Sequence, residues 1–334
     1  MKIATALANS NIAIIKYWGN SNDELIIPSN NSISFTMDDK LQTKTTVILD
    51  EEFTIDELWI NDQKATAKET ERVASIIELV RIKAKSKLKA KIFSENSFPK
   101  GAGLASSASS FAALSGATCK AYSLGLNKKE LSKIARMGSG SASRSIFGGA
   151  VEWIKGIRKD GEDCYAQEIA PKEKFKELRN IVAILERKEK KIGSREGMKI
   201  TTSTSKNFEN RLIEVEKRLK IAREAILDFD FEKLAPVIME DSDSMHKVMK
   251  ESNPSLIYMN DISHKIRKEI IELNKSSEKY LGAYTFDAGP NAHIYTLSKN
   301  TSKIKSILNE IEGVQEIIEC GIGDGIRFSD SHLM

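Results

Sequence analysis

Two apolar periods alternate along this chain. Thr43 to Leu49 reads as a strand, and Leu88-Lys-Ala-Lys-Ile-Phe-Ser-Glu reads as another from its apolar/polar alternation. Ala67 to Lys87 instead places Val73, Ile76, Ile77 and Val80 on one helical face. Leu126 to Met137 predicts a further helix, capped by Asn127 with Glu130 three residues on. Ile181 to Glu186 is a short apolar strand. From about Asn207 the chain turns helical, and Leu212, Val215, Leu219, Ala222 and Ile226 form one stripe at steps of three and four. Pro254 is expected to start a helix running through Glu272. The tail returns to strand (Ala283 to Ala288 and His293 to Leu297), helix (Ser302 to Glu312) and strand (Val314 to Cys320). The pattern predicts an α+β chain of two intimately packed lobes that divide near residue 180. It shows no low-complexity linker and no internal repeat.

One segment departs from these periods. Pro99-Lys-Gly-Ala-Gly-Leu-Ala-Ser-Ser-Ala-Ser-Ser leads from the Leu88 strand into a helix-forming stretch, Phe111 to Ala121. Glycines let the backbone approach a phosphate, and a helix N-terminus presents free N–H groups and partial positive charge. The hydroxyls of Ser106, Ser107 and Ser109 suit phosphate oxygens or a bound Mg²⁺. Gly101 and Gly103 are followed by no Gly-Lys pair and by no third glycine three residues on, so neither common nucleotide fingerprint is present. The plainer alternative is a glycine-rich turn that caps a helix.

Composition narrows the partners. The 334 residues are 40% hydrophobic and 29% charged, as in soluble globular proteins, and 51 Lys and Arg against 47 Asp and Glu leave a formal charge of +4. That surplus is too small and too scattered to argue for nucleic acid, but it suits a small polyanionic substrate. No run is long enough to span a bilayer and no secretory core follows Met1, so a cytoplasmic protein without a membrane partner is expected. Cys119, Cys164 and Cys320 are few, odd in number and far apart, and the four histidines lack metal-ligand spacing, so no disulfide framework or zinc site is expected.

Four further segments concentrate small and polar residues. In Ala8 to Gly19, Lys16 closes an apolar run ahead of Tyr17 and Trp18. Such a lysine needs a carboxylate partner or a depressed pKa, unless it snorkels from a strand end. Met137 to Glu152 surrounds Arg144, a planar fork for carboxylate or phosphate, with Ser139, Ser141 and Ser143. Lys190 to Met198 holds three cations and Ser194 beside glycines, as a phosphate clamp or a solvated turn would. Asp287 ends a strand over the turn Gly289-Pro290, a catalytic placement or an Asx turn.

Taken together these segments resemble one family. Asn11-Ile-Ala to Lys16-Tyr-Trp-Gly, Pro28-Ser-Asn-Asn-Ser-Ile-Ser, Gly103-Leu-Ala-Ser-Ser-Ala, Gly138-Ser-Gly-Ser-Ala-Ser-Arg, Ser194-Arg195 with Gly197-Met198, and Phe286-Asp-Ala-Gly-Pro-Asn-Ala are similar to the GHMP kinase superfamily. Within it they resemble the mevalonate diphosphate decarboxylases, including a phosphomevalonate decarboxylase branch. The resemblance runs from residue 3 to beyond residue 293. It implies a GHMP kinase-like two-lobed fold, with a ribosomal S5 domain 2-like lobe over residues 1–180 and a ferredoxin-like lobe over residues 181–334.

It also implies roles. ATP would lay its phosphates along Gly101, Gly103, Leu104, Ala105, Ser106 and Ser107, with Asn96 on the nucleotide side and Ser107 toward Mg²⁺. Arg144 matches the arginine that grips the substrate carboxylate, Ser139 and Ser141 its serine partners, and Tyr17 the substrate-contacting tyrosine. Ser194 and Arg195 match the pair at the 5-phosphate end. Asp287 matches the acid at the C3 hydroxyl, and Lys16 the lysine paired with it. The implied reaction is ATP-dependent decarboxylation of (R)-5-diphosphomevalonate to isopentenyl diphosphate, in a homodimer. One departure stands out: where the family usually has a second lysine after Lys-Tyr-Trp-Gly, this chain has Asn20. That opens the alternative of mevalonate 5-phosphate as substrate, giving isopentenyl phosphate. A GHMP small-molecule kinase that releases no CO₂ is the other alternative.

Overall fold

The computed structural model describes residues 1–98, 106–186 and 192–334. The chain folds as α+β, with strands in three principal sheets. The largest has six strands, in the order Arg327–Ser329, Lys2–Asn9, Gln42–Asp50, Lys89–Asn96, Glu57–Ile60 and Gln63–Lys64. Its pairs are antiparallel except Glu57–Ile60 with Lys89–Asn96. Ala4, Ala6 and Ala8 form the inward row of Lys2–Asn9, and these small side chains let the helix Ser106–Ala121 lie close across the sheet. Gly116 marks the closest approach, since a Cβ there would lie 2.1 Å from Cδ1 of Ile326.

A second sheet, in the order Ala166–Ala170, Ala150–Trp153, Ser32–Thr36 and Asn11–Ile15, runs through the centre of the molecule. Every residue of its last two strands is buried, yet the alternation persists. Ile12, Ile14, Ile33 and Phe35 join the core beneath the helices Phe208–Asp228 and Phe231–Lys250. Asn11, Ser32 and Ser34 instead serve the short helix Ala142–Ser145. The third sheet, in the order Ala283–Phe286, Ala292–Leu297, Leu178–Ile184 and Glu316–Cys320, is antiparallel and packs the helices Asp261–Lys275 and Thr301–Asn309 into a separate core.

The elements depart from the sequence pattern in instructive places. The helix expected from Phe111 already runs from Ser106, so Ser106 and Ser107 are its first turn. In the helix Phe208–Asp228 the buried stripe includes Arg211, while Leu212 is only partly covered, because Arg211 has a buried carboxylate to meet. No helix starts at Pro254. Leu256 N–H donates to the Met249 carbonyl and its side chain packs beside Trp18 and Met245, laying residues 254–260 along the preceding helix. The helix Asp261–Lys275 starts only where the Asn260 side chain accepts the Ser263 N–H. Asn127 caps the helix Lys128–Gly138 as expected, accepting the Glu130 N–H at 2.9 Å. Asn127→Ala is expected to cost about 1 kcal/mol of stability, read as a lowered midpoint in chemical denaturation. Among the described residues no helix is long and apolar enough to cross a membrane.

Candidate active site

Lys16 leaves the end of the buried strand Asn11–Ile15 and is itself only 1% exposed. Its Nζ lies 2.7 Å from Oδ1 of Asp287, the first residue after the strand Ala283–Phe286. The lysine therefore does not snorkel. A buried ammonium needs an anionic partner, and Asp287, at the turn through Gly289-Pro290, supplies it. The Asp287 carboxylate remains partly open, its side chain 34% exposed, while its backbone carbonyl accepts the Gly289 N–H. The peptide groups of Lys16 are pinned as well. Its N–H donates to Oδ2 of Asp241 at 2.7 Å, and its carbonyl accepts from Nδ2 of Asn30 at 3.1 Å. Gly19, three residues on, has φ +111°, and a Cβ there would lie 2.6 Å from Thr202, so the Lys16-Tyr-Trp-Gly string can end only in glycine.

Arg144 lies behind this pair, 3% exposed. Its Nε donates to Oδ1 of Asn11 at 3.1 Å and to Oγ of Ser34 at 3.0 Å, and its Nη1 donates to Oγ of Ser32 at 2.5 Å. These neutral acceptors fix the fork without neutralising it. Among the described residues Nη2 has no hydrogen-bond partner, so an edge of the guanidinium is left for an anion. Burial pushes its pKa down to about 10, with the Asp287 charge opposing the shift, so the group stays cationic at neutral pH.

Three serine hydroxyls lie together, two from the segment leading to Arg144 and one from the helix Ser106–Ala121. Ser139 Oγ lies 3.1 Å from Ser141 Oγ and 3.5 Å from Ser107 Oγ, in the first turn of the helix Ser106–Ala121. Asn96 ends the strand Lys89–Asn96, and its Oδ1 accepts from Thr43, whose hydroxyl also bonds Ser109. Gly101, Gly103, Leu104 and Ala105, and with them Lys190 and Lys191, lie outside the described residues. Ser194 opens the helix Ser194–Thr204, and Nη2 of the next residue, Arg195, donates to the Gly138 carbonyl at 3.1 Å, beside Ser139. Tyr17 is half-buried, edge-on to Trp153, and loss of solvent raises its hydroxyl above the ordinary phenol range; it donates to Oδ1 of Asn20 at 2.6 Å. Asn20 in turn donates to Asp23 at 2.9 Å, so its side chain is used at both ends.

Two histidines approach the Lys16–Asp287 pair. Burial pushes His246 and His293 down to about 4, with the Lys16 charge adding to the effect, so both are neutral at physiological pH. Neither can serve there as a cationic proton donor.

Some supporting residues escaped the sequence reading. Asn11, Ser32 and Ser34 hold Arg144, and Asp241 with Arg211 holds Lys16. A signal for the last pair did exist. Leu234, Ile238, Met245 and Val248 form an apolar stripe with Asp241 in its middle, and Arg211 sits likewise between Phe208 and Val215. Opposite charges in the apolar stripes of consecutive helices announce a buried ion pair.

Residues 8–166 match the diphosphomevalonate decarboxylase-like N-terminal domain, and residues 180–324 match the mevalonate 5-diphosphate decarboxylase C-terminal domain. A diphosphomevalonate decarboxylase of Candida albicans is 41% identical over all of this chain and 99% of its own. The chain belongs to the diphosphomevalonate decarboxylase family. Family structures share the fold throughout. The crystal structure of mevalonate diphosphate decarboxylase from Staphylococcus aureus superposes with a TM-score of 0.93 at 37% identity, over 98% of both chains. A complex of MDDEF with MVAPP, AMPPCP and magnesium does so at 0.91 and 36%, over 99% of both. Family membership makes this an α+β, GHMP kinase-like enzyme, and it gives the Lys16–Asp287 pair, the Arg144 fork and the Ser107–Ser139 contact a shared context.

Proposed function

We propose that this enzyme converts (R)-5-diphosphomevalonate and ATP to isopentenyl diphosphate, CO₂, ADP and phosphate. The observation that carries the reading is the 2.7 Å Lys16–Asp287 ion pair, partly open to solvent, within electrostatic reach of a buried Arg144 that has no ion-pair partner among the described residues. Asp287 accepts the proton of the C3 hydroxyl as that oxygen bonds to the γ-phosphorus and the bond to ADP breaks. Lys16 keeps the carboxylate aimed. The C3–O bond then breaks and inorganic phosphate leaves. The C1–C2 bond breaks, its electrons form the C2–C3 double bond, and CO₂ departs. Arg144 holds the carboxylate until that step, with Ser139 and Ser141 beside it, and the charge of Asp287 favours the cationic character that develops at C3.

Tyr17 and Asn20 line the substrate side, and Ser194 and Arg195 face its 5-diphosphate. Asn96 and residues 101–107 take the nucleotide. Mg²⁺ arriving with ATP neutralises phosphate charge. Ser107, in the first turn of the helix Ser106–Ala121, would meet it, and a hydroxyl fits an ion that keeps water and substrate phosphates as its main ligands. Residues 1–180 form the ATP-side lobe and residues 181–334 the lobe carrying Asp287, in a cytoplasmic homodimer.

Asn20 favours a second reading. With its side chain already engaged by Tyr17 and Asp23, Asn20 brings no charge of its own to the position where the family usually adds a lysine, which suits mevalonate 5-phosphate. Steady-state kinetics with both substrates separates the two. Diphosphate is expected to give the higher kcat/KM, and a clear preference for the monophosphate overturns that. Coupled measurement of ADP and CO₂ is expected to show one of each per turnover, whereas ADP without CO₂ would make the enzyme a kinase.

A further inference from the structure

The helix Phe231–Lys250 supplies neither reacting group, yet it grips the backbone that delivers both. It packs on the strand Asn11–Ile15, which leads to Lys16, and on the strand Ala283–Phe286, which leads to Asp287. Two adjacent, fully buried residues make the connections. Oδ2 of Asp241 accepts the Lys16 N–H at 2.7 Å, and Oγ of Ser242 accepts the Phe286 N–H at 3.0 Å. Neighbours on a helix point about 100° apart, so one turn reaches both strands at once. Four residues on, and on the same side as Ser242, the His246 ring stands edge-on to the Phe286 ring, with centroids 6.3 Å apart. Asp241 is itself braced, with Arg211 3.2 Å from each carboxylate oxygen and Arg218 3.2 Å from Oδ1.

We propose that Asp241 and Ser242 are positioning residues which together set the separation and aim of Lys16 and Asp287. This rests on the catalytic reading of that pair given above. The physical need is specific. A lysine has four rotatable side-chain bonds and can keep its ion pair with Asp287 after either strand end shifts. The pair alone therefore does not fix where the carboxylate stands against the acceptor hydroxyl. Anchoring both backbones to one rigid helix does, and a displacement of about 1 Å at a reacting group can cost on the order of 100-fold in rate.

The test compares full-length Ser242→Ala and Asp241→Asn with wild type, using mevalonate 5-diphosphate and ATP and measuring CO₂ release. Ser132→Ala is the control. Ser132 is also fully buried and accepts a strand N–H, that of Ala166 at 3.1 Å, but away from the pair. Ser242→Ala is expected to lower kcat about 10- to 100-fold with both KM values within about threefold of wild type. Ser132→Ala is expected to lower the melting temperature comparably and leave kcat within twofold. Asp241→Asn is expected to lower kcat at least as much as Ser242→Ala, and if it does not fold, Ser242→Ala decides alone. A folded Ser242→Ala with kcat within twofold of wild type overturns the proposal, as does an equal loss of kcat in Ser132→Ala or a loss confined to KM. A wild-type protein that releases no CO₂ would instead refute the catalytic reading itself, and the positioning role with it.

Discussion

Asp287→Asn is expected to lower kcat by about 10³-fold or more while leaving KM for the phosphorylated mevalonate within about threefold. The amide preserves the size of the side chain but cannot take a proton from the C3 hydroxyl. It also removes the anion facing Lys16 at 2.7 Å, leaving an ammonium that is 1% exposed without its charge partner. Two losses thus coincide at one residue: the proton acceptor and the field that holds Lys16 in place. Because the carboxylate is partly open to solvent, the asparagine variant should still fold, and a melting curve beside the kinetics checks this. Retention of more than a tenth of wild-type kcat would remove Asp287 from the chemistry. Rapid-quench measurement of ADP formation then locates the lost step, with phosphoryl transfer expected to be slowed first.

The second large effect is expected at Arg144. Arg144→Lys keeps the charge but not the fork. A lysine ammonium is a point donor that cannot satisfy Asn11, Ser32 and Ser34 and still present a flat edge to a carboxylate. KM for the phosphorylated mevalonate is expected to rise about 10- to 100-fold, with kcat falling as well because a loosely held carboxylate leaves CO₂ loss poorly aligned. KM for ATP should stay near its wild-type value, since the role proposed for Arg144 is at the carboxylate end. An unchanged KM for the substrate would mean that its carboxylate is gripped elsewhere. The patterns of these two variants differ in a useful way: Asp287→Asn acts on kcat, and Arg144→Lys acts on both constants.

Much of this site was legible because its chemistry violates simple patterning. Lys16 after an apolar run, Arg144 among serines and Asp287 over a Gly-Pro turn each stand where a plain strand or helix would place something else. What stayed hidden was the scaffold behind them. Ser32 and Ser34 alternate with Ile33 and Phe35, which reads as a strand with one wet face, yet that polar face is buried and occupied by Arg144. Alternation reports polarity, not exposure. Asp241 and Arg211 were missed for a related reason, since each is a charge in an apolar stripe that becomes intelligible only once the other is opposite it. The helix expected at Pro254 failed differently. Leu256 is drawn into contact with the Trp18 cluster, and this tertiary packing overrides the local start signal.

The sequence by itself determined the residue types of the chemistry, the α+β class and the placement of most strands and helices. Local hydrogen bonding and side-chain periodicity act over a few residues, and those are written into any stretch of chain. Only the tertiary structure decided which of these residues meet. Lys16 and Asp287 are separated by 271 positions and come within 2.7 Å through two strands and a shared helix. The neutrality of His246 and His293 was decided there too. Burial and neighbouring charge control them, and neither has a value until the chain has closed around the site.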